Sequence, residues 1–389
     1  MNYLTFIEQI MKYNSVSAPN SFLVSGNDKL VCNYILSDIY RKAYHQKKHL
    51  IIIDDSKNMD SDILEKIGYC IKNGLSGEYS FYPFFQVELQ KEMSRIRQVL
   101  DCLNYDEKQK QKLIAYFNLV KYMEGLSKKK EKEELTIDVL SEYSSNLFVK
   151  KKLQQMVEDH STNEEQQLYL LGKYSEICDI APDFENDWNL LEPYIMGNIK
   201  PFAEKNVPTA FLLPFRELEN DIVMKQLALQ MLSYCLEDAK KSNIAVVILD
   251  KGSGERSYLL KFISELPIEV EHHLISEDIF TFDDNAIQIF SNQFAVKIYS
   301  RHNAMASCSS IERVLGEIDV VKSAYSVNYD RRWKNNSPFD VLTRNNKTET
   351  YTWSPAIREP KYRKEMIISL FPNNGIVEFM GRSCLFSLK

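Results

Sequence analysis

Uninterrupted runs of apolar residues predict the buried strands of this chain. The sequence contains four such runs, at Ser21–Ser25, His49–Asp54, Thr209–Leu213 and Ile244–Asp250. Continuous apolar runs are typical of parallel strands covered on both faces, whereas half-exposed strands alternate apolar and polar residues. Helical patterns lie between the runs, the clearest at 221–241. Strands that alternate with helices predict an α/β fold with right-handed crossovers.

The pattern changes between about residues 87 and 200. Strand-like runs stop there, and Glu, Lys, Gln and Leu recur at helical spacing. This segment carries 21 acidic and 16 basic residues, so it holds most of the formal net charge of −6. We predict an all-helical domain at 87–200, inserted between the two parts of an α/β core at 1–86 and 201–389.

The C-terminal part returns to mixed structure. We expect strands at 292–300 and 319–330, with a helix near 307–316 between them. The polar stretch 335–352 predicts a mobile loop. A short helix near 361–370 and two closing strands around Gly381 complete the chain.

Composition narrows the class of protein. No apolar run approaches the roughly 18–20 residues of a membrane-spanning helix, and residues 1–15 lack the pattern of a signal peptide, so we expect a cytoplasmic protein. Net acidity argues against a nucleic-acid backbone as the main ligand. The seven dispersed cysteines indicate reduced thiols. The pair His272–His273 has no ligand spacing, so we interpret it as a surface histidine pair and expect no metal site.

The first candidate for chemistry is the turn after the first run, in the segment FLVSGNDKLV. A working phosphate loop needs several glycines, a lysine for the β- and γ-phosphates and a Ser or Thr for Mg²⁺. Here Gly26 is followed by Asn27, Asp28 and Lys29, and Leu30 stands where a hydroxyl is needed. The strand and the helix of such a motif are present, but its chemistry is missing.

The second candidate is the end of the fourth run, VVILD. In ATPases of this type an apolar strand ends in an acid that orders Mg²⁺, and a following Glu polarises the attacking water. Asp250 is in place, but Lys251 follows it. A lysine is a poor base at neutral pH unless it is strongly desolvated.

Taken in order, these segments resemble the cytoplasmic ATPase module of type IV secretion coupling proteins, within the HerA/FtsK group. The resemblance covers most of residues 20–389 and is one of order and pattern. Besides the two candidate motifs, it includes HLIIIDD, the turn Tyr82-Pro83-Phe84 before a helical insertion, PTAFLLPFREL, and REPKYRKEMIISLFPNNGIVEFMG. It implies a P-loop NTPase-like fold of RecA/FtsK type: a mainly parallel sheet flanked by helices, with an inserted helical domain.

The departures from that family define the functional hypothesis. The glycine-rich loop with Lys-Ser or Lys-Thr is absent, Lys251 replaces the catalytic Glu, and no counterpart of the usual N-terminal transmembrane pair is found. Arg301 falls where the family can place an arginine finger, although an exposed arginine at a strand end is the ordinary interpretation. We therefore expect vestigial nucleotide contacts at most, from Gly26, Asn27, Asp28, Lys29 and Asp250, and no catalytic residue, metal or cofactor.

The resulting hypothesis is a pseudo-ATPase. It would be a structural or adaptor subunit of a bacterial secretion or conjugation machine, with ATPase or coupling subunits or substrates as protein partners, at the inner-membrane face. Three alternatives remain: an active DNA-translocating ATPase with an atypical loop, a AAA+ clamp-loader δ-like subunit, and an unrelated α/β interaction protein.

Overall fold

The structure is a computed structural model of the 389-residue chain. It describes residues 3–14, 19–56, 61–73, 94, 97–98, 100–102, 105–128, 142–158, 163–178, 208–218, 222–238, 243–252, 256–267, 269–282, 284–320, 323–330, 346–353 and 357–388. The turn Tyr82-Pro83-Phe84 lies outside these residues.

The helices follow the amphipathic segments of the sequence. In chain order they are α1 (Tyr3–Asn14), α2 (Lys29–His45), α3 (Ser61–Ile67), α4 (Glu107–Lys128), α5 (Asn146–Glu158), α6 (Glu164–Ile177), α7 (Ile222–Asp238), α8 (Ser257–Glu265), α9 (Asp284–Gln293), α10 (Met305–Leu315) and α11 (Lys364–Ile368). Short 3₁₀ turns lie at Phe215–Leu218 and Ile279–Thr281. None of the described helices is long and apolar enough to cross a membrane.

The strands build one large sheet and two small ones. In chain order they are β1 (Ser21–Ser25), β2 (His49–Asp54), β3 (Cys70–Asn73), β4 (Thr209–Leu213), β5 (Ile244–Asp250), β6 (Glu271–Ser276), β7 (Val296–Tyr299), β8 (Glu317–Val320), β9 (Ser323–Asp330), β10 (Asn346–Trp353), β11 (Ile357–Pro360), β12 (Asn374–Phe379) and β13 (Arg382–Ser387). The large sheet has the order β13-β12-β7-β1-β6-β5-β2-β4-β3.

The large sheet is parallel from β7 to β3, and only the β12–β13 hairpin at one edge is antiparallel. Strands β1, β2 and β5 are buried along their whole length, as their apolar runs predict. Alternate residues face opposite layers, so Ile51 and Ile53 pack on one side while Leu50 and Ile52 pack on the other. The α/β fold class with a mainly parallel sheet is confirmed.

Two helical layers cover the sheet. Helices α1, α2 and α3 contribute buried side chains to one face, among them Ile7, Ile35 and Leu64. The other face packs against α7 to α10 and also against the helical segment α4 to α6. Buried residues of that segment, such as Leu113 and Leu153, belong to the same continuous apolar cluster as Ile51 of β2. The helical segment is therefore joined to the sheet through a shared core. The domain boundaries at 87 and 200 remain a prediction.

Part of the C-terminal prediction is wrong. Residues 346–353 form β10, which pairs antiparallel with β9 over eight residue pairs, whereas the polar pattern predicted a loop there. Residues 331–345 lie outside the described part of the chain. The segment expected as one strand at 319–330 holds the last two residues of β8 and the whole of β9. The short helix α11 and the closing strands β12 and β13 are confirmed. The free thiols are those of Cys32, Cys70, Cys102, Cys178, Cys308 and Cys384.

The interpretation of His272 and His273 as a surface pair is also wrong. Both lie in β6, in the middle of the sheet, and they are 2% and 1% exposed. The ring nitrogens Nδ1 and Nε2 of His272 lie 2.7 and 3.0 Å from the carbonyl oxygens of Val270 and Gln293. His273 Nε2 lies 3.2 Å from Glu271 Oε1. The burial of this pair was missed because β6 carries polar residues in place of an apolar run.

Glu271 makes folding stability depend on pH. Burial alone would raise the pKa of Glu271, but the hydrogen bond and charge of His273, together with Lys48 and Lys42, lower it to about 2. A depressed pKa gives stability that is present above the unfolded value near 4.5 and is lost as pH falls toward 2. We expect urea unfolding to report a loss of about 3 kcal/mol over this window. Glu271→Gln should flatten that part of the profile, and an unchanged profile would contradict the assignment.

Candidate functional site

The polar residues singled out in the sequence meet at the carboxyl edge of the parallel strands. The strand register places Ser25, Asp250 and Ser276 side by side at the ends of β1, β5 and β6. Asp54 ends β2 next to them. Open α/β sheets bind their ligands at this edge, where strands end and helices begin. A functional site is therefore expected at this edge of the sheet.

The turn between β1 and α2 is closely packed against the ends of neighbouring strands. Gly26 has φ +138°, and a Cβ atom there would lie 2.1 Å from the hydroxyl oxygen of Ser300. Its N–H donates to Ser276 O at 3.1 Å, and the N–H of Asn27 donates to Arg301 O at 2.8 Å. Glycine is thus required by geometry, and these two N–H groups are already bonded within the chain.

Asp28 occupies the N-terminus of α2. Its Oδ1 accepts from the N–H groups of Leu30 and Val31 at 3.0 and 3.3 Å. Its Oδ2 accepts from the N–H of Asn373 at 2.8 Å, which joins the turn to the segment before β12. The first N–H groups of a helix attract an anion, through both hydrogen bonding and the helix dipole. In this structure the Asp28 carboxylate takes the place of such an anion.

Asp250 forms a buried ion pair with Arg256. The two residues are 1% and 3% exposed, and Arg256 Nη1 lies 2.7 Å from Asp250 Oδ2. The same oxygen accepts from Ser276 Oγ at 2.5 Å and from the N–H of Gly252 at 3.1 Å. Burial raises the pKa of Asp250, and the Arg256 charge and these hydrogen bonds oppose the rise. A cation of the chain thus neutralises the acid that the sequence pattern placed at the end of this strand.

The position of Arg256 is fixed by further contacts. Its guanidinium lies 3.6 Å from the centre of the Phe282 ring and donates to the hydroxyl of Thr281. The guanidinium also lies 3.5 Å from the carbonyl of Asp278. Stacking on an aromatic face suits a planar guanidinium better than a lysine ammonium. Sequence analysis missed Arg256, and the available signal was a lone arginine six residues after the strand-ending acid.

A second buried ion pair lies beside the first. Asp55, just after β2, accepts from Lys225 Nζ and from the hydroxyl of Tyr258, each at 2.8 Å. Asp55 and Lys225 are each 4% exposed. Lys225 lies on the same face of α7 as the buried Leu229, Leu232 and Leu236. A lysine inside an apolar helical stripe was the signal that could have revealed this pair.

Two more polar side chains at this edge form hydrogen bonds within the chain. Asp54 Oδ1 accepts from the N–H and hydroxyl of Ser56 at 3.0 and 2.9 Å, and burial raises the pKa of Asp54. His302 Nδ1 donates to Ser300 O, so its Nε2 accepts from the Ser25 hydroxyl at 2.9 Å. Burial lowers the pKa of His302. Ser25 and His302 are 0% and 1% exposed, which favours an anchoring role over nucleophilic chemistry.

The structure brings most of the predicted site residues together. Gly26, Asn27, Lys29 and Asp250 line one cleft at the sheet edge. The carbonyl of Arg301 contacts Asn27, while its side chain is exposed, as is Lys251. Among the described residues, no group of three or more His, Cys, Asp or Glu side chains is arranged to hold a metal ion.

Comparison with solved structures finds matches over nearly the whole chain. VirB4 of Thermoanaerobacter pseudethanolicus gives a TM-score of 0.54 at 11% identity, covering 95% of this chain and 89% of that one. The bacterial conjugative coupling protein TrwBΔN70, in its unbound form, gives 0.52 at 13% identity, with 95% and 84% covered. TrwB in complex with a non-hydrolysable ATP analogue gives 0.53 at 12%, with 95% and 86% covered.

This chain shares the fold of these proteins. The resemblance to secretion coupling ATPases indicated by the sequence is confirmed at the level of the fold. No protein-family model and no curated protein sequence matches the chain.

Proposed function

We propose that this chain is a catalytically degenerate, P-loop-type subunit of a bacterial type IV secretion or conjugative DNA-transfer machine, acting through protein–protein contacts on its cytoplasmic side. One observation carries the proposal. Groups of the chain itself fill both charged positions that a magnesium nucleotide would need: Asp28 takes the anion position and Arg256 takes the cation position.

The Asp28 carboxylate takes the place that a nucleotide phosphate would occupy. Phosphate loops work because free backbone N–H groups converge on the ligand. In this chain the N–H groups of Gly26, Asn27, Leu30 and Val31 all have protein acceptors. A nucleotide would have to displace Asp28 and approach its negative charge. Phosphate binding is disfavoured on both counts.

Arg256 takes the place of Mg²⁺, and Lys251 takes the place of the catalytic base. Mg²⁺ and an arginine guanidinium are both cations, and Asp250 Oδ2 already holds Arg256. Lys251 supplies no carboxylate to polarise water. Loss of a single electrostatic contributor to a transition state costs about 3–4 kcal/mol in other active sites. Several such losses together support the absence of useful ATP turnover.

The comparisons support the choice of machine. VirB4 and the conjugative coupling protein TrwB share this fold over 95% of the present chain. The clamp-loader alternative fits less well, because the described C-terminal residues form strands β11 to β13 and one short helix rather than a helical collar.

Calorimetric titration with Mg-ATP tests the proposal. We expect no binding heat up to about 1 mM ATP and no phosphate release above the buffer rate, because Asp28 and Arg256 fill the charged positions. Binding at micromolar ATP would overturn the degenerate assignment. Salt-sensitive DNA binding together with hydrolysis would favour the active DNA-translocating alternative. Co-purification of a coupling or VirB4-type ATPase from the native host would support the adaptor role.

Removing the internal anion should restore an anion site. We expect Asp28→Gly to keep α2, because glycine is a tolerated N-cap, while it frees the N–H groups of Leu30 and Val31. If sulfate then binds with a Kd of about 5 mM, 50 mM sulfate adds about 1.4 kcal/mol and raises Tm by about 2 °C or more.

Asp28→Asn is the matched control, because asparagine can still cap the helix. Sulfate also stabilises proteins by general exclusion from their surface, so only the difference between the two variants counts. Equal shifts in Tm for Asp28→Gly and Asp28→Asn would contradict the idea that Asp28 occupies an anion site.

A further inference from the structure

The exposed face of α6 is apolar at its centre. Leu168, Tyr169 and Leu171 are 73%, 50% and 49% exposed, while Leu170 between them is buried in the core. Tyr169 also contacts Tyr122 of α4 edge to face, with 5.3 Å between the ring centres. Large apolar side chains that lie together on a protein surface typically mark a site of interaction. The centre of this face is therefore a candidate contact surface.

Gly172 leaves open space beside these side chains. It lies one helical turn after Leu168, and apart from the backbone of its own helix a Cβ atom there would meet no heavy atom of the described residues within 4 Å. Glycine inside a helix is less stable than alanine, because glycine loses more conformational freedom on folding. The described fold gives no steric reason for this cost, whereas a second helix can approach α6 more closely at a glycine. The position thus suits a helix packed across α6.

The charges of this face are mainly negative. The exposed Glu164 and Glu165 lie in the first turn of α6, and Glu176 lies near its end. The lysine of α6, Lys173, is 2.9 Å from the Glu176 carboxylate and so is already paired. A second copy of this acidic face, the phosphates of a nucleic acid and an anionic membrane surface are all unfavourable partners by charge. A partner with basic residues is favoured instead.

We propose that the exposed face of α6 binds a basic amphipathic helix of a partner protein. Apolar side chains of that helix pack against Leu168 and Leu171, and its backbone crosses α6 at Gly172. Its lysines or arginines lie beside the exposed glutamates of α6. The inference deepens the proposed function and rests on it, because it gives the protein–protein contacts a surface on this chain and a partner of stated chemistry.

Fluorescence anisotropy of a labelled peptide, titrated with the full chain at constant ionic strength, tests the inference. The peptide has the length of α6, 14 residues, and places leucines on one face of a helix and lysines on the other. One control peptide replaces every lysine with glutamate, and a second keeps the composition but scrambles the order. We expect a Kd of about 10–100 µM for the lysine peptide and at least about tenfold weaker binding of both controls.

Three variants locate the binding on α6. Leu168→Ser should weaken binding of the lysine peptide about tenfold or more, whereas Leu385→Ser, at an exposed leucine of β13, should leave it unchanged. Glu165→Lys should weaken it about fivefold or more, because it reverses a charge of the face. Equal binding by wild type and Leu168→Ser, or equal binding of the lysine and glutamate peptides, would overturn the inference.

Gly172→Ala gives two readouts of opposite sign. We expect alanine to raise Tm by about 1–2 °C, because it is the better helix former. The same methyl group should hold the partner helix away from α6 and weaken binding of the lysine peptide about threefold or more. A higher Tm with unchanged binding would overturn the crossing at Gly172.

The outcomes separate this inference from the proposed function. Absence of lysine-peptide binding would overturn the inference and leave the proposed function standing, because nucleotide binding is not involved. Binding of Mg-ATP would defeat the proposed function itself, whether or not the peptide binds.

Discussion

Replacing Arg256 with glutamine is expected to lower the free energy of unfolding by about 3–5 kcal/mol. Asp250 would then be a buried carboxylate without its counter-ion, and such a loss is far more costly than the net contribution of the intact pair. The stacking of the guanidinium on Phe282 would be lost as well. Urea unfolding at pH 7 measures the change, which is a large share of the 5–15 kcal/mol that stabilises a typical domain.

The double variant Asp250→Asn with Arg256→Gln separates charge from packing. Removing both charges should recover most of the lost stability, because no unpaired ion remains in the core. Arg301→Gln is the matched control, since Arg301 is exposed, and it should change stability by no more than about 0.5 kcal/mol. If the single and double variants were equally unstable, the ion pair would not be the source of the effect.

Replacing Lys225 with methionine is expected to have a similarly large effect, again about 3–5 kcal/mol. Methionine fits the apolar stripe of α7, so the change isolates the charge and leaves Asp55 with the Tyr258 hydroxyl as its hydrogen-bond donor. Thermal and urea unfolding, compared with wild type at the same pH, give the measurement.

Asp55→Asn added to Lys225→Met should restore stability to within about 1 kcal/mol of wild type, since the unpaired charge is then gone. Lys151→Met, on the exposed face of α5, controls for the loss of a lysine as such. Should Lys225→Met prove as stable as Lys151→Met, the buried pair would contribute nothing and its electrostatic role would be refuted.

The central strands could be predicted because burial on both faces leaves a continuous apolar run. β2 and β5 meet this condition, and each is buried throughout. β6 does not, because Glu271, His272 and His273 stand in place of an apolar run. Glu271 is paired with Lys48, 223 residues away in the chain. β10 was not predicted because its polar sequence lacks an apolar run, although its backbone pairs with β9. Local patterns carry no information about such distant partners.

The site was predictable only in part, for the same physical reason. The strand end at Asp250 and the turn at Gly26 are local motifs, so their residues could be named from the sequence. Arg256, which pairs with Asp250, is only six residues away, but other groups that complete the site are not local. Asn373, which donates to Asp28, is 345 residues away, and Lys225, which pairs with Asp55, is 170 residues away. Sequence patterns therefore located Asp28 and Asp250 but not the groups that bind these two acids.

The Asp28 carboxylate differs from a bound phosphate in one further respect: it cannot diffuse away. A nucleotide site alternates between ATP-bound and ADP-bound states, and the ratio of ATP to ADP in the cell helps to set the proportion of each. The Asp28 side chain is covalently part of the turn, so it does not alternate between two such states. The N–H of Asn373 donates to it and holds the turn against the segment before β12. An assembly that contained this chain would therefore have a subunit whose β1–α2 turn does not change shape with the ratio of ATP to ADP.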